Sequence, residues 1–291
     1  MAALLATTSF ACGDVWTALL ARRVSGKVTM LLTTLLKLLI YAPFAILWRH
    51  EFTGFNGTTL VWIGALGLLF TAANLGFNMA LQLGKNPALV GVIAGCFPAS
   101  ASFVAIVFLG QRPSAATIGL LLAVLAGVTL IGLPEDWRKS LRVDTGILLA
   151  LIPMTCWGMF GALLNKPVQR LGSPHAWFVV QFLVSVIVIL AVACLYNRQM
   201  AGFIRTANRK RAWLLVLAAG GIIGLGEGLQ ALALGGGRQL VIIEALLGGY
   251  PAVYFLIAHK VFREPLYRRQ WLGIGIVVVA VVLLSLSAAA L

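Results

Sequence analysis

Ten apolar stretches of about 20 residues, separated by short basic loops, fill almost the whole chain. Each is about the length needed to cross ~30 Å of hydrocarbon at about 1.5 Å rise per residue. In lipid the backbone must satisfy its own polar groups, so such stretches are predicted to be helices. They fall at roughly 2–21, 28–48, 58–83, 87–109, 114–133, 145–165, 174–196, 212–234, 239–260 and 269–290. With 61% hydrophobic and 10% charged residues, the chain lacks the polar surface that a soluble fold of 291 residues requires.

The net charge of +14 does not point to nucleic acid, because the basic residues lie between apolar runs and form no stripe interleaved with aromatics. Of the 22 Lys and Arg residues, 16 fall in the loops after odd-numbered runs and 5 in the loops after even-numbered runs. Lys37 alone lies well inside a run; Lys260 and Arg269 stand at run ends and are counted with the loop between them. By the inside-positive bias, the odd loops are predicted to face the cytoplasm and both termini the outside of a bacterial inner membrane. The first run has no basic residue ahead of it, and no cleavable signal is expected. Cys12, Cys96, Cys156 and Cys194 lie in apolar runs without metal-type spacing and read as packing residues.

The chain is written twice. Ala80-Leu81-Gln82-Leu83-Gly84 leads through Phe97-Pro98-Ala99 to Gly110-Gln111-Arg112-Pro113. Ala231-Leu232-Ala233-Leu234-Gly235 leads through Tyr250-Pro251-Ala252 to Arg263-Glu264-Pro265. The boundaries predicted are residues 1–134 for one five-helix repeat, 135–144 for a basic connecting loop, and 145–291 for the second repeat. Five is odd, so the repeats would be inverted relative to each other. The expected fold class is all-α integral membrane, with ten transmembrane helices in two inverted five-helix repeats. Such halves can open a central cavity to one side of the membrane and then to the other.

The string Leu246-Leu247-Gly248-Gly249-Tyr250-Pro251-Ala252-Val253 with Val261-Phe262-Arg263-Glu264-Pro265 and Gln270-Trp271-Leu272-Gly273 resembles the signature of the drug/metabolite transporter superfamily, in particular its ten-span EamA-type permeases. Cys96-Phe97-Pro98-Ala99 and Gly110-Gln111-Arg112-Pro113 echo it, with Gln111 where the family often carries Glu; Trp157-Gly158 resembles the pattern of a repeat's first span. The resemblance implies a basket of ten helices, with spans one, three, four, six, eight and nine around a substrate cavity and five and ten as buttresses. It further implies export of amino acids, metabolites or drugs, or import of sugars and other solutes.

Charged residues within apolar runs are costly and usually face the protein interior or a wet cavity. Asp14 and Lys37 lie ~12 and ~15 Å from the inner face at helical rise, so an ion pair between them is one expectation and a substrate or proton site at Asp14 another. Glu227 and Glu244 each lie ~10 Å below the outer surface on consecutive antiparallel helices. Two carboxylates so placed can share a proton, which is the chemistry of a proton-coupling site; neutralisation by Arg238 is the alternative. Asp14, Glu227 and Glu244 are thus the proton-coupling candidates.

Thr71, Asn74, Asn78 and Gln82 share one helical face that must point to other helices or to water. Asn74, Asn78 and Gln82 are predicted to bind substrate, with Trp157, Glu227, Gln230, Glu244, Tyr250 and Tyr254; Trp16 is a further aromatic candidate. Tyr250 and Tyr254 bracket Pro251, where a kink is expected. Trp48, Trp62, Trp137, Trp177 and Trp213 read as interfacial anchors. Gly220, Gly224 and Gly228, and likewise Gly119, Ala123 and Gly127, read as ridges for close helix packing.

The inverted repeats and the resemblance together imply a secondary active transporter working by alternating access, exporting small organic metabolites such as amino acids, with proton coupling as an additional expectation. A multidrug exporter, a sugar or solute importer, and a non-transporting membrane protein are the alternatives. No enzyme chemistry, catalytic residue, metal or cofactor is expected. The expected partners are a small-molecule substrate and membrane lipid, not nucleic acid, for a monomer or homodimer.

Overall fold

A computed structural model describes residues 1–84, 87–132, 145–171, 175–196, 210–235, 243, 246–263 and 267–289. Every regular element among them is helical. The helices are α1 (Ala2–Arg23), α2 (Gly26–Leu47), α3 (Gly57–Leu83), α4 (Pro87–Ala94), α5 (Phe97–Val107), α6 (Ala115–Gly132), α7 (Thr145–Leu171), α8 (Ala176–Tyr196), α9 (Lys210–Gly235), α10 (Tyr250–Phe262) and α11 (Arg268–Ala289), with a 3-10 turn at Arg49–Gly54. Among the described residues, seven segments are long and apolar enough to cross a membrane: Ala2–Arg23, Gly26–Leu47, Gly57–Leu83, Pro87–Val107, Thr145–Val168, Ala176–Leu195 and Trp213–Ala233. Their outer faces carry bare apolar side chains such as Leu39, Val61 and Leu68, the surface that a bilayer would cover.

Local chemistry sets the boundaries. Ser25 accepts the Val28 N–H and Asn56 the Thr59 N–H, so both side chains cap the first turns that follow them. Two predicted runs are broken. The fourth divides at Gly95-Cys96 and the ninth at Gly248-Gly249, and a helix restarts each time with proline in its first turn. Pro98 and Pro251 have no N–H to donate, which costs no hydrogen bond in a first turn, whereas Pro43 lies inside α2 and Pro153 and Pro167 inside α7. The kink expected at Pro251 is therefore a helix start.

Helix packing joins distant parts of the chain. α1 packs on α9 and α10, α3 on α7 and α8, α2 on α8 and α9, α7 on α4 and α5, α4 on α10, and α6 on α11. One apolar core is built from α1, α4, α6, α10 and α11, and a second from α2, α3, α7 and α8. Each core draws on both halves of the chain. Where α6 meets α11 the backbones touch: a Cβ added at Gly273 would lie 2.5 Å from the Gly127 carbonyl oxygen, and one at Gly127 would lie 2.8 Å from that of Gly273.

The glycine ridges are only partly packing surfaces. Gly220 lies against Leu36 and the Thr33 carbonyl, and Gly224 more loosely against Ile40, but nothing stands within 4 Å of a Cβ at Gly228 or Gly119. Among the predicted anchors, Trp177 is instead buried in the second core, edge-on to Tyr41 at 5.7 Å. Trp137 and the connecting loop 135–144 lie outside the described residues.

Candidate functional site

Between the helices lies a cavity of about 80 Å³. Phe10 and Asp14 reach it from α1, Lys37 from α2, Phe70, Asn74, Phe77 and Asn78 from α3, and Phe97 from α5. Trp157 and Phe160 come from α7, Gln181 from α8, Glu227 and Gln230 from α9, and Tyr250 from α10. The wall mixes aromatic rings with polar and charged side chains, Thr17 and Thr33 among the latter.

Lys37 Nζ lies 2.7 Å from Glu227 Oε1, both side chains being almost wholly buried. The Tyr41 hydroxyl donates to Glu227 Oε2, and Lys37 Nζ also stands 4.5 Å from the centre of the Phe70 ring. Asp14 Oδ2 accepts the Tyr250 hydroxyl at 2.6 Å. On α3, Asn74 Nδ2 donates to the Phe70 carbonyl at 2.7 Å and Asn78 Nδ2 to the Asn74 carbonyl at 2.8 Å. Each amide bonds back into its own helix, which is how a polar side chain is tolerated in an apolar span. Asn78 Oδ1 is buried and has no hydrogen-bond partner among the described residues.

The structure thus brings Asp14, Asn74, Asn78, Trp157, Glu227, Gln230 and Tyr250 to one place, but not with the partners expected. Lys37 pairs with Glu227 and not with Asp14, because α9 packs against both α1 and α2. Glu244 and Arg238 lie outside the described residues, so the Glu227–Glu244 pair does too. Glu227 takes Lys37 where Arg238 was considered.

Four other residues singled out in the sequence stand elsewhere. Gln82 Oε1 accepts the Gly26 N–H at 2.9 Å and ties α3 to the start of α2. The Tyr254 hydroxyl donates to the Pro87 carbonyl at 3.1 Å, and its ring lies against Gly91. Trp16 is exposed, and Thr71 donates to Gly67 of its own helix.

Sequence reasoning missed Tyr41, Gln181 and the cavity's phenylalanines. Two of these left a signal. Tyr41 lies one helical turn beyond Lys37 and therefore on its face. Phe97 precedes Pro98 as Tyr250 precedes Pro251, and the two rings meet 6.2 Å apart. Among the described residues no group of three His, Cys, Asp or Glu could hold a metal ion.

Comparison with known proteins bears on the second half most directly. Residues 144–286 match the EamA-like transporter family. No curated protein matches. Eighteen chains of solved structures do. One, a crystal structure described only as that of a protein, superposes with a TM-score of 0.71 at 15% identity, covering 100% of this chain and 97% of that one. A likeness at that identity speaks for the fold alone. The seven apolar helices and the family match agree on a multi-pass membrane protein, whose residues 144–286 correspond to an EamA-like transporter domain.

Proposed function

We propose that the chain is a secondary active transporter that moves a small organic solute by alternating access between two oppositely oriented five-helix halves. The observation that carries this reading is the cavity and its polar links. Lys37 to Glu227, Tyr41 to Glu227 and Asp14 to Tyr250 each join a helix of the first half to one of the second. A site closed by contacts between two halves can open when they move apart.

Taking α4 with α5 as one span and α10 as part of another yields ten spans. Exchanging the halves (α1 with α7, α2 with α8, α3 with α9, α4 and α5 with α10, α6 with α11) then converts the packing pairs into one another. α1 on α9 becomes α7 on α3, α2 on α9 becomes α8 on α3, and α1 on α10 becomes α7 on α4 and α5. The backbone follows the same exchange, since Gly110 and Arg263 end equivalent helices with φ of 68° and 57°. Export of metabolites with a proton exchanged at Asp14 is the form of coupling this reading favours, because Asp14 faces the cavity without a paired cation among the described residues.

The test is flux through lipid vesicles carrying the purified full-length chain, offered amino acids, amines, sugars and cationic dyes with and without an imposed pH gradient. Gradient-driven accumulation of one class over protein-free vesicles is expected. Flux equal to that of empty vesicles for every class would refute the transporter reading.

A further inference from the structure

The charges around the cavity leave one anion over. Lys37 and Glu227 are closed on each other, with Tyr41 on the remaining carboxylate oxygen. Asp14 is 8% exposed and accepts the Tyr250 hydroxyl, and no described cation forms an ion pair with it. A carboxyl so placed either holds a proton or takes a positive partner, since an unpaired charge in a low-dielectric interior is strongly disfavoured.

The surrounding wall suits a cation. Phe10, Phe77, Phe97 and Trp157 line the same cavity, and aromatic faces attract organic cations through their quadrupoles. Lys37 over Phe70 shows the same contact made within the protein. A second, independent feature is Asn78. It lines the cavity at 2% exposure, and its Oδ1 is an acceptor with no partner among the described residues. Such an atom awaits an N–H or O–H.

We infer that the cavity binds an amine, a small organic monocation whose ammonium group sits against Asp14 between aromatic faces and donates an N–H to Asn78 Oδ1. This rests on the transporter reading and narrows its substrate. An amino acid carries the same ammonium but adds a carboxylate, and the cation that would receive it, Lys37, is already held by Glu227.

Matched pairs test the assignment. The full-length protein in lipid nanodiscs is titrated calorimetrically with methylamine, ethanolamine and phenethylamine, each against its carboxylated counterpart, glycine, serine and phenylalanine. At least one amine is expected to bind about tenfold or more tightly than its amino acid, a preference that Asp14→Asn removes. Asp14→Asn retains an acceptor for Tyr250. Should that variant fail to fold, Asn78→Leu serves, and is expected to lower affinity for the primary amine towards that of its trimethylated form. Three results overturn the inference: an amino acid binding as tightly as its amine in every pair that binds, an amine-over-amino-acid preference unchanged in Asp14→Asn or a primary-over-trimethylated preference unchanged in Asn78→Leu, or no amine binding at all. Vesicle flux judges the transporter reading separately, so a protein that moves some solute but binds no amine loses this assignment alone.

Discussion

Removing one partner of the Lys37–Glu227 pair is expected to cost far more than removing both. At 2.7 Å the attraction is about 6 kcal/mol with an effective dielectric constant near 20. Against this stands a desolvation cost of several kcal/mol for each ion, so the intact pair contributes little net stability. Lys37→Met leaves the Glu227 carboxylate buried with Tyr41 as its sole described donor, and a loss of about 3–5 kcal/mol is expected. Glu227→Gln strands the Lys37 ammonium over Phe70, and a loss towards the lower end of about 3–5 kcal/mol is expected because Tyr41 keeps an acceptor. The double variant Lys37→Met with Glu227→Leu is expected to lie within about 1–2 kcal/mol of the parent, as apolar replacement of a buried pair is often neutral. Denaturant titration of the purified protein in mixed micelles measures all three, and the double-mutant cycle gives the coupling directly. Single variants within about 0.5 kcal/mol of the parent, or a double variant no better than the worse single, would show that the two charges do not meet in a dry interior.

Further outcomes follow from packing and backbone geometry. Gly273→Ala drives a Cβ to 2.5 Å from the Gly127 carbonyl and 3.1 Å from the Ile131 nitrogen, and thermal melts are expected to show a loss of about 2 kcal/mol. Gly119→Ala meets nothing within 4 Å, so it is expected to be neutral or to gain up to about 1 kcal/mol of helix propensity. Arg263 holds the left-handed conformation that Gly110 holds at the equivalent helix end, so Arg263→Gly is expected to stabilise by about 1 kcal/mol in the same assay. Gln82→Ala is expected to lose about 1 kcal/mol through the Gly26 N–H yet to leave ligand affinity unchanged, because Gln82 stands outside the cavity. For orientation, a membrane-impermeant thiol label is expected to reach a cysteine placed at Ala290 but not one at Arg209; the reverse would invert the inside-positive assignment.

How much of the site was legible depends on the residue. Asp14, Lys37 and Glu227 stand out in the sequence because charge is rare in apolar runs, and all three do reach the cavity. Their partners were not legible, because depth along a helix says nothing about which helix lies alongside. The same arithmetic, ~15 Å from one face for Lys37 and ~10 Å from the other for Glu227, places both at comparable levels of a ~30 Å core. Neighbouring runs were paired first, and the structure pairs across the halves. The stripe Asn74, Asn78 and Gln82 was read correctly as one face, but that face is long enough to begin at the cavity and end at the α2 terminus.

The sequence by itself settles the solvent and the element type. Long apolar runs admit only helices in lipid. Only the tertiary structure decides that α9 packs against both α1 and α2, that Lys37 meets Glu227, and that Asp14 faces a cavity lined in part by aromatic rings. Those outcomes depend on which surfaces interlock, and in a bilayer every helix face is apolar enough to pack against several others. Contact geometry therefore makes the choice that hydrophobicity leaves open.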